Sequence, residues 1–391
     1  MNIADRLSCI RPSATHAVNT KALELKEQGR KIVSLAIGEP DFPTPAHICK
    51  AAQKAIDEGF TRYTAVPGIP ELCRAVGTYY KRCYGLEPPV ESVLVSNGGK
   101  HSLFNYFLAL LNPGDEVIIP APYWLSYPDM VMLAGGVPVF LPVSAQEGFR
   151  LTPAKLAKAI TPKTRLLILN APSNPSGVSY TQEEFDALLD CCIQKGVCVA
   201  SDEIYDRIVY APAKSISAIR WWQRYPELVT LFNGCAKSFA MTGWRVGYCV
   251  GHPKLIKAMS TIQGQSTSNV CSIAQKAAVA ALEGSYDCVA EMAAAFQRRR
   301  DLALNIMSSW TGVLCPKPEG AFYLFADMRC YFGKSGIADS SDLCTYFLEK
   351  AGVALVPGSA FGDDACVRFS YAVADDVLER ALKSMENVLP E

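Results

Sequence analysis

Short apolar runs alternate with helical patterns through the middle of the chain. Between about residue 92 and residue 250, the runs that predict strands are SVLVS, EVIIP, VPVFLPV, RLLILN, VCVASDE, LVTLFN and VGYCVG. Nearly continuous apolar runs separated by helical stretches are typical of a mostly parallel sheet that helices cover on both faces. The pattern therefore predicts an α/β fold with a mostly parallel, seven-stranded sheet.

The pattern changes after about residue 286. A long helical run precedes the strand-like GAFYLFADM, and a second helical run precedes the strand-like CVRFSYA, which together predict a smaller α+β domain. Near the start of the chain, VNTKALELKEQGRK predicts an amphipathic helix that ends before the proline-rich GEPDFPTP and packs on this smaller domain. The predicted division is a large domain of residues 46–285 and a discontinuous small domain of residues 1–45 and 286–391.

The composition favours a small-molecule partner. Lysine and arginine total 38, as do aspartate and glutamate, so no global field draws the protein to nucleic acid or to a lipid surface. The 15 cysteines include no CxxC pair, and the four histidines lack metal-ligand spacing. No export signal and no apolar run of about 20 residues is seen. We therefore expect a cytoplasmic protein with no membrane, nucleic-acid or metal partner.

Polar residues follow several of the predicted strands directly. Lys237 comes after LVTLFN and a turn of small residues, where a lysine can form a Schiff base with a carbonyl. Asp202 ends another apolar run, Tyr205 follows it, and Asn174 lies in a proline-rich turn. Taken singly, each has an ordinary structural alternative: Lys237 as a surface lysine, Asp202 as a helix N-cap and Asn174 as a turn residue. Since ligands of open α/β sheets bind beyond the carboxyl ends of strands, together they indicate one site.

Other residues complete this set. Gly98 and Gly99 stand between a strand and a helix, where backbone N–H groups can approach an anion closely. Trp124 follows a strand and is either a core aromatic or a lid for a planar ring, and Arg245 lies eight positions after Lys237. Pyridoxal phosphate (PLP) needs a Schiff-base lysine and an acidic partner for its ring nitrogen. The set therefore indicates a PLP site.

Eight segments in chain order resemble the fold-type I, class I aminotransferases, especially the bacterial-type aspartate and prephenate aminotransferases. These segments are GEPDF, YTAVPGIPEL, GGKHSLFN, PYWLSYPDM, NPSG, SDEIYD, AKSFAMTGWRVGY and RFSY, and the resemblance covers nearly the whole chain. It implies the fold of the type I PLP-dependent transferases. It also implies transamination between an amino acid and a 2-oxo acid, with aspartate and glutamate as the expected donors and prephenate or aromatic amino acids as further substrates.

The resemblance also implies how each residue contacts the cofactor. Lys237 would form the Schiff base, Asp202 would pair with the ring nitrogen, and Tyr205 and Asn174 would hydrogen-bond the ring hydroxyl. Trp124 would stack on the ring. The phosphate would be bound by Arg245 together with the backbone of Gly98, Gly99 and Lys100. One position departs from the pattern, since Gly234 stands where many relatives have a serine or threonine that bonds the phosphate.

The substrate contacts implied by the resemblance lie in both predicted domains. Arg368 would bind the α-carboxylate, the backbone of Gly38 would close over it, and Trp124 and Asn174 would line the substrate site. Lys100 would meet a distal carboxylate. The residues expected to assist it are Ser13, Thr15 and Arg11, the last of them for a bulkier dicarboxylate such as prephenate.

The resemblance also predicts a homodimer with shared active sites. In the family, the tyrosine of the segment that YTAVPGIPEL matches reaches the neighbouring subunit's phosphate, and here this residue is Tyr63. Two other functions stay open at this point. A PLP-dependent β-eliminating lyase of the same fold shares most of these residues. A PLP-sensing regulatory module would need a DNA-binding segment, for which the chain has no spare residues or basic excess.

Overall fold

The computed structural model describes residues 1, 3–8, 10 and 14–390. The α-helices of this part of the chain are α1 (Ala14–Glu27), α2 (Ala46–Asp57), α3 (Pro70–Tyr84), α4 (Gly99–Leu110), α5 (Ser126–Leu133), α6 (Pro153–Ala159), α7 (Gln182–Gln194), α8 (Ile219–Arg224), α9 (Pro253–Ser266), α10 (Ser272–Glu283), α11 (Asp287–Met307), α12 (Ser340–Lys350) and α13 (Asp375–Glu386). Its strands are β1 (Val33–Ser34), β2 (Val93–Ser96), β3 (Glu116–Ala121), β4 (Val137–Pro142), β5 (Thr164–Asn170), β6 (Cys198–Asp202), β7 (Val229–Gly234), β8 (Gly247–Val250), β9 (Tyr323–Asp327), β10 (Val353–Ala354), β11 (Val356–Pro357) and β12 (Cys366–Ser370).

A seven-stranded sheet forms the centre of the fold, and each of the seven apolar runs supplies one strand. The strand order is β2-β8-β7-β6-β5-β3-β4, and all pairings are parallel except the two made by β8. The prediction of a mostly parallel α/β sheet is therefore confirmed. In the register of the ladder, Asn170 pairs with Asp202 and Asp202 pairs with Phe232. The carboxyl ends of β5, β6 and β7 thus lie side by side.

Side chains of the sheet alternate between two apolar cores, as the period of a strand requires. Val199 and Leu231 face one core, which holds buried side chains of α2, α3, α7 and α10. Ala200 and Phe232 face the other core, with buried side chains of α4, α5 and α9. Asp202 lies two residues after Ala200, so its side chain points to the same face as Ala200. The alternation of β6 therefore decides on which side the carboxylate of Asp202 stands.

The C-terminal part of the chain forms a separate antiparallel sheet in the order β11-β12-β9. This sheet shares a core with α11, α12 and α13 that also includes Tyr205 and Tyr210 from the segment after β6. Near the start of the chain, β1 pairs in parallel with β10, and α1 packs against the same region through Ala22 and Leu25. The division at residues 46 and 286 stays a prediction.

In the part of the chain that the structure describes, no helix is long and apolar enough to cross a membrane. Among the same residues, no group of three or more histidine, cysteine, aspartate or glutamate side chains is arranged to hold a metal ion.

Candidate active site

A cavity of about 470 Å³ opens where the carboxyl ends of the central strands meet the C-terminal sheet. Its volume is that of a small-molecule site. The predicted site residues that line it are Gly38, Gly99, Lys100, Trp124, Asn174, Asp202, Tyr205, Lys237, Arg245 and Arg368. Folding thus brings into one cavity residues that are more than 300 positions apart in the chain.

Lys237 lies just after β7 and its amine faces the cavity. Its Nζ donates a hydrogen bond to the carbonyl oxygen of Gly38 at 2.6 Å. Burial lowers the pKa of Lys237 to about 8, while the nearby carboxylate of Glu39 opposes this shift. A lysine with such a pKa has an appreciable neutral fraction near pH 7, and the neutral amine is the nucleophile that attacks a carbonyl.

Gly234, which departs from the pattern of many relatives, lies three residues before Lys237 at the end of β7. A Cβ atom at this position would stand 2.9 Å from the Cα atom of Gly247 and 2.9 Å from the carbonyl oxygen of Val246. The close pairing of β7 with β8 therefore leaves no room for a serine or threonine side chain. Packing explains the departure, and an anion at this end of the cavity must be bound by other groups.

Asp202 is buried, with 6% of its surface exposed. Its Oδ2 accepts a hydrogen bond of 2.6 Å from the hydroxyl of Tyr127, and its Oδ1 accepts one of 3.3 Å from the N–H of Ile204. Burial raises the pKa of Asp202 to about 6, and these hydrogen bonds and the charge of Lys237 oppose the rise. The carboxylate is thus held in one orientation, in surroundings where a cationic partner would be strongly favoured.

The glycines before α4 and Arg245 together form a cationic corner of the cavity. Gly98 has φ of +87°, and a Cβ atom there would lie 2.4 Å from Nη2 of Arg245. Arg245 is held by the carbonyl oxygens of Thr242 and Asn97, at 3.0 and 3.4 Å. Its guanidinium therefore packs directly on the turn from which α4 begins. A guanidinium beside the N–H groups of a helix start can bind a phosphate.

Lys100 lies at the start of the same helix. Its Nζ stands 5.0 Å from the centre of the ring of Trp124, a distance at which a cation interacts with an aromatic face. Partial removal of water from its amine, followed by the charge of Arg245, lowers the pKa of Lys100, and the charge of Asp129 opposes this shift. The residue as a whole is exposed. Lys100 is therefore a second cation at the cavity, on the side of Trp124.

Arg368 belongs to β12 and is 2% exposed. Its Nη1 donates to Oδ1 of Asn174 at 2.9 Å and its Nη2 donates to the carbonyl oxygen of Ala36 at 2.7 Å. The guanidinium also lies 4.6 Å from the ring centre of Tyr323. Its Nε is buried without a hydrogen-bond partner, and among the described residues no carboxylate forms an ion pair with it. A buried cation in this state is a strong site for a carboxylate ligand.

The segment after β1 bridges the two sides of the cavity. Gly38 accepts the bond from Lys237, and Glu39 accepts a hydrogen bond of 2.8 Å from the hydroxyl of Thr242. Asp41 forms an ion pair of 2.8 Å with Arg299 of α11. Because these contacts reach both the central sheet and α11, the backbone of Gly38 is fixed at the mouth of the cavity.

The structure places Tyr63 outside the cavity, and three other predicted residues lie wholly or in part outside its description. Tyr63 is 91% exposed and contributes nothing to the lining. Arg11 and Ser13 lie outside the described residues, and Thr15 belongs to α1, but its side chain also lies outside the description. The roles predicted for these four residues stay predictions.

Tyr127 and Tyr323 also line the cavity, although neither was predicted from the sequence. Tyr127 stands three residues after Trp124 in a segment that was already selected, so its position was a usable signal. Tyr323 begins β9 within the strand-like GAFYLFADM, and nothing in that run separates it from a core tyrosine. Only the three-dimensional contacts identify it.

Comparison with known proteins gives one consistent result. Residues 30–385 match the family described as aminotransferase class I and II. The probable aspartate/prephenate aminotransferase of Rhizobium leguminosarum bv. phaseoli is 46% identical over 390 residues, which is 98% of each chain. The aspartate aminotransferase of Geobacillus stearothermophilus is 44% identical over 389 residues, covering 100% of this chain and 99% of that protein.

Solved structures agree with this. The crystal structure of the aspartate aminotransferase from Rhizobium meliloti superimposes with a TM-score of 0.96 at 41% identity, over 100% of both chains. The aspartate aminotransferase from Thermus thermophilus with maleate superimposes with a TM-score of 0.94, also at 41% identity and over 100% of both chains. Sequence and fold thus point to the same family.

Proposed function

The chain belongs to the class I and II aminotransferases, and we propose that its preferred amino donors are aspartate and glutamate. It is a PLP-dependent transaminase of fold type I that moves an amino group between an amino acid and a 2-oxo acid. The lyase and the regulatory module are not favoured, since the relatives are aminotransferases over the whole length of the chain. Prephenate or aromatic amino acids are the further substrates that we propose.

The cavity fits PLP on its own chemistry. It offers a nucleophilic amine in Lys237, a buried carboxylate in Asp202, and a cationic corner formed by Arg245 beside Gly98. The amine can react with the aldehyde of the cofactor, the carboxylate can pair with its ring nitrogen, and the cationic corner can bind its phosphate. When bound, PLP supplies an electron sink for the charge that develops at Cα of the substrate.

The side chains of the cavity perform the proton chemistry. We propose that Lys237 would hold the cofactor through Nζ, and that the same amine, when free, would accept a proton from Cα of the substrate and pass it on. Asp202 would keep the ring nitrogen of bound PLP protonated, because a buried carboxylate stabilises a cation beside it. Tyr127 holds Asp202 in the orientation that this requires, through its hydrogen bond of 2.6 Å.

The preference for dicarboxylic substrates rests mainly on one observation: two cations, Arg368 and Lys100, line the same cavity. Among the described residues neither forms an ion pair within 4 Å, although the charge of Asp129 acts on Lys100. Arg368 presents a planar fork suited to an α-carboxylate. A second carboxylate buried without a cation would be costly, and Lys100 offers one. The names of the relatives, and the maleate in the Thermus thermophilus structure, support this proposal because maleate is a dicarboxylate. Ser13, Thr15 and Arg11 are proposed to assist at the distal end.

We further propose a cytoplasmic homodimer in which Tyr63 reaches the phosphate of the neighbouring subunit. The support is that Tyr63 is 91% exposed in the single chain, which is unusual for so large an apolar ring. A mixed dimer of Lys237→Ala and Tyr63→Phe chains tests this proposal. If the residue is shared, one intact site forms and activity returns above that of either variant alone. Activity that stays at the average of the two parents would contradict sharing.

A panel of amino donors tests the substrate proposal. Aspartate, glutamate, arogenate, phenylalanine and alanine are each assayed with 2-oxoglutarate and with oxaloacetate. We expect the highest kcat/KM for aspartate and glutamate, and turnover that depends strictly on the 2-oxo acid. Equal kcat/KM for alanine and aspartate would reject the dicarboxylate preference, and ammonia release without a 2-oxo acid would restore the lyase.

A further inference from the structure

Two buried tyrosines form a hydrogen-bonded pair at the wall of the cavity. The hydroxyl oxygens of Tyr205 and Tyr323 lie 2.9 Å apart, and the two residues are 3% and 1% exposed. Their rings meet edge to face, with centres 5.9 Å apart. No other described residue forms a hydrogen bond with either hydroxyl. Both side chains line the cavity, so this pair belongs to the site and not only to the core.

The position of the Tyr323 hydroxyl is tightly constrained. Its ring lies under the guanidinium of Arg368, 4.6 Å from ring centre to Cζ, and packs against Phe322. On the other side stands Gly38, where a Cβ atom would lie 2.8 Å from the hydroxyl oxygen of Tyr323. Any other residue in place of Gly38 would displace this hydroxyl. The Tyr323 hydroxyl is therefore held between Gly38, Arg368 and Tyr205.

These neighbours determine which tyrosine donates. Arg368 carries only donors, and Gly38 presents its Cα to the hydroxyl, so the oxygen of Tyr205 is the acceptor available to the proton of Tyr323. Tyr205 then keeps its own proton for a group in the cavity. A hydroxyl that accepts a hydrogen bond is a stronger donor in turn, because hydrogen bonds in a chain polarise one another.

The charges around the pair favour the same direction. Burial raises the pKa of both tyrosines, and the positive charge of Arg368 opposes the rise at both. The hydrogen bond between them and the charge of Asp202 raise the pKa of Tyr205 further, whereas the same hydrogen bond lowers the pKa of Tyr323, so Tyr323 is the better donor. Among the described residues, the other charged or titratable side chains that line the cavity are Tyr127, Lys237, Glu39, Lys100 and Arg245.

We propose that Tyr323 is a positioning residue that donates its proton to the Tyr205 oxygen and thereby strengthens the hydrogen bond from Tyr205 to the phenolic oxygen of bound PLP. This inference rests on the proposed function, in which Tyr205 contacts that oxygen. A stronger donor stabilises the anionic form of a phenolic oxygen. Tyr323 should therefore lower the pH at which the bound cofactor changes its visible absorbance.

A spectrophotometric pH titration of the holoenzyme tests the proposal in three variants. Tyr205→Phe should raise the midpoint of the absorbance change most. Tyr323→Phe should raise the midpoint by less, about 0.3 to 1 pH unit, because Tyr323 only strengthens the hydrogen bond that Tyr205 makes to the cofactor. The double variant should titrate like Tyr205→Phe, because Tyr323 acts only through Tyr205.

The possible failures are distinguishable. If Tyr205→Phe raises the midpoint and Tyr323→Phe does not, the inference falls while the role of Tyr205 stands. If the midpoint of the double variant exceeds that of Tyr205→Phe by the full shift seen in Tyr323→Phe, Tyr323 acts directly on the cofactor. The inference then also falls. An unchanged midpoint in Tyr205→Phe would reject the proposed contact of Tyr205 and the inference with it.

A matched substitution separates the hydroxyl from the ring. Tyr323→Phe keeps the aromatic face under Arg368, so the KM for the amino donor should change by less than about twofold. Tyr323→Leu removes both the hydroxyl and the aromatic face, so it should shift the midpoint of the titration and also raise the KM for the amino donor. A raised KM with an unchanged midpoint in Tyr323→Phe would assign Tyr323 to packing alone. The affinity of each apoenzyme for PLP, measured by fluorescence quenching, provides a readout that is independent of turnover, and Tyr323→Phe should weaken it.

Discussion

The two sides of the cavity differ in how far their polar groups are already satisfied. On the side of the central sheet, both carboxylate oxygens of Asp202 accept hydrogen bonds, from Tyr127 and from the N–H of Ile204. On the side of the C-terminal sheet, Arg368 uses Nη1 and Nη2 but leaves Nε buried and without a partner. A group that stays with the protein needs a fixed carboxylate. A group that comes and goes needs a cation with free donors.

Burial acts on both sides, but the consequences differ. It raises the pKa of Asp202 to about 6 and lowers the pKa of Lys237 to about 8, so both groups move toward neutrality without their ligand. Arginine stays protonated even when burial lowers its pKa, as it does for Arg368. The sheet side is therefore the part of the site whose charge state depends on the cofactor. The side of Arg368 keeps its charge for each incoming substrate.

The largest expected effect is that of Lys237→Ala. This variant should fold but lose the visible absorbance of the bound cofactor, with kcat reduced by at least about 10⁴-fold, because one amine both anchors the cofactor and moves the proton. Lys254→Ala, which removes an exposed lysine at the start of α9, is the matched control and should leave both readouts unchanged. Retention of a near-normal rate by Lys237→Ala would reject the assignment.

Asp202→Asn should reduce kcat by about 10²- to 10³-fold, since the amide cannot keep the ring nitrogen protonated. The same change should stabilise the apoenzyme. The pKa of Asp202 rises from its ordinary 3.8 to about 6 on folding, so the folded state favours the protonated carboxyl. That contribution to stability is present below pH 4 and is lost as the pH rises through about 6.

Urea unfolding of the two apoenzymes tests this sign. At pH 8 the variant should be more stable than the wild type by up to roughly 3 kcal/mol, and at pH 5 the gain should be smaller. A gain in stability that is equal at both pH values would show that ionisation of Asp202 is not its cause. A variant less stable than the wild type at pH 8 would show that the lost hydrogen bond to Ile204 outweighs the cost of the buried charge.

The smallest of these effects is expected for Lys100→Ala, because Lys100 contributes to substrate specificity and not to the chemistry that all substrates share. A charge-assisted hydrogen bond is worth about 1.5 to 3 kcal/mol, so Lys100→Ala should lower kcat/KM for aspartate by roughly 10- to 150-fold. Alanine and phenylalanine lack the distal carboxylate and should be little affected. If aspartate and phenylalanine slowed equally, Lys100 would belong to cofactor binding.

The side of the central sheet was largely predictable from sequence. Lys237 and Asp202 follow apolar runs directly, and the strand period and parallel order then bring the ends of β5, β6 and β7 together. The sequence could not explain why a glycine occupies position 234, because the cause is the close approach of Gly247 on the neighbouring strand. A sequence pattern reports the period of one strand. It does not report how closely two strands approach.

The opposite side needed the structure. The hydrogen bond between Arg368 and Asn174 joins residues 194 positions apart, and that between Tyr205 and Tyr323 joins residues 118 positions apart. No local pattern contains such a pair. The resemblance supplied Arg368 and Gly38, but not the partners that hold them, and Tyr323 was hidden in a run that reads as an ordinary core strand.

A single-turnover experiment tests the central claim most directly. Holoenzyme is mixed with excess aspartate in the absence of any 2-oxo acid, and the visible absorbance, the oxaloacetate and the ammonia are followed together. We expect the absorbance to change once and one oxaloacetate to form per active site without ammonia. After the remaining aspartate is removed, 2-oxoglutarate should restore the original spectrum with formation of glutamate. Continued formation of product and ammonia beyond one equivalent per site would contradict it.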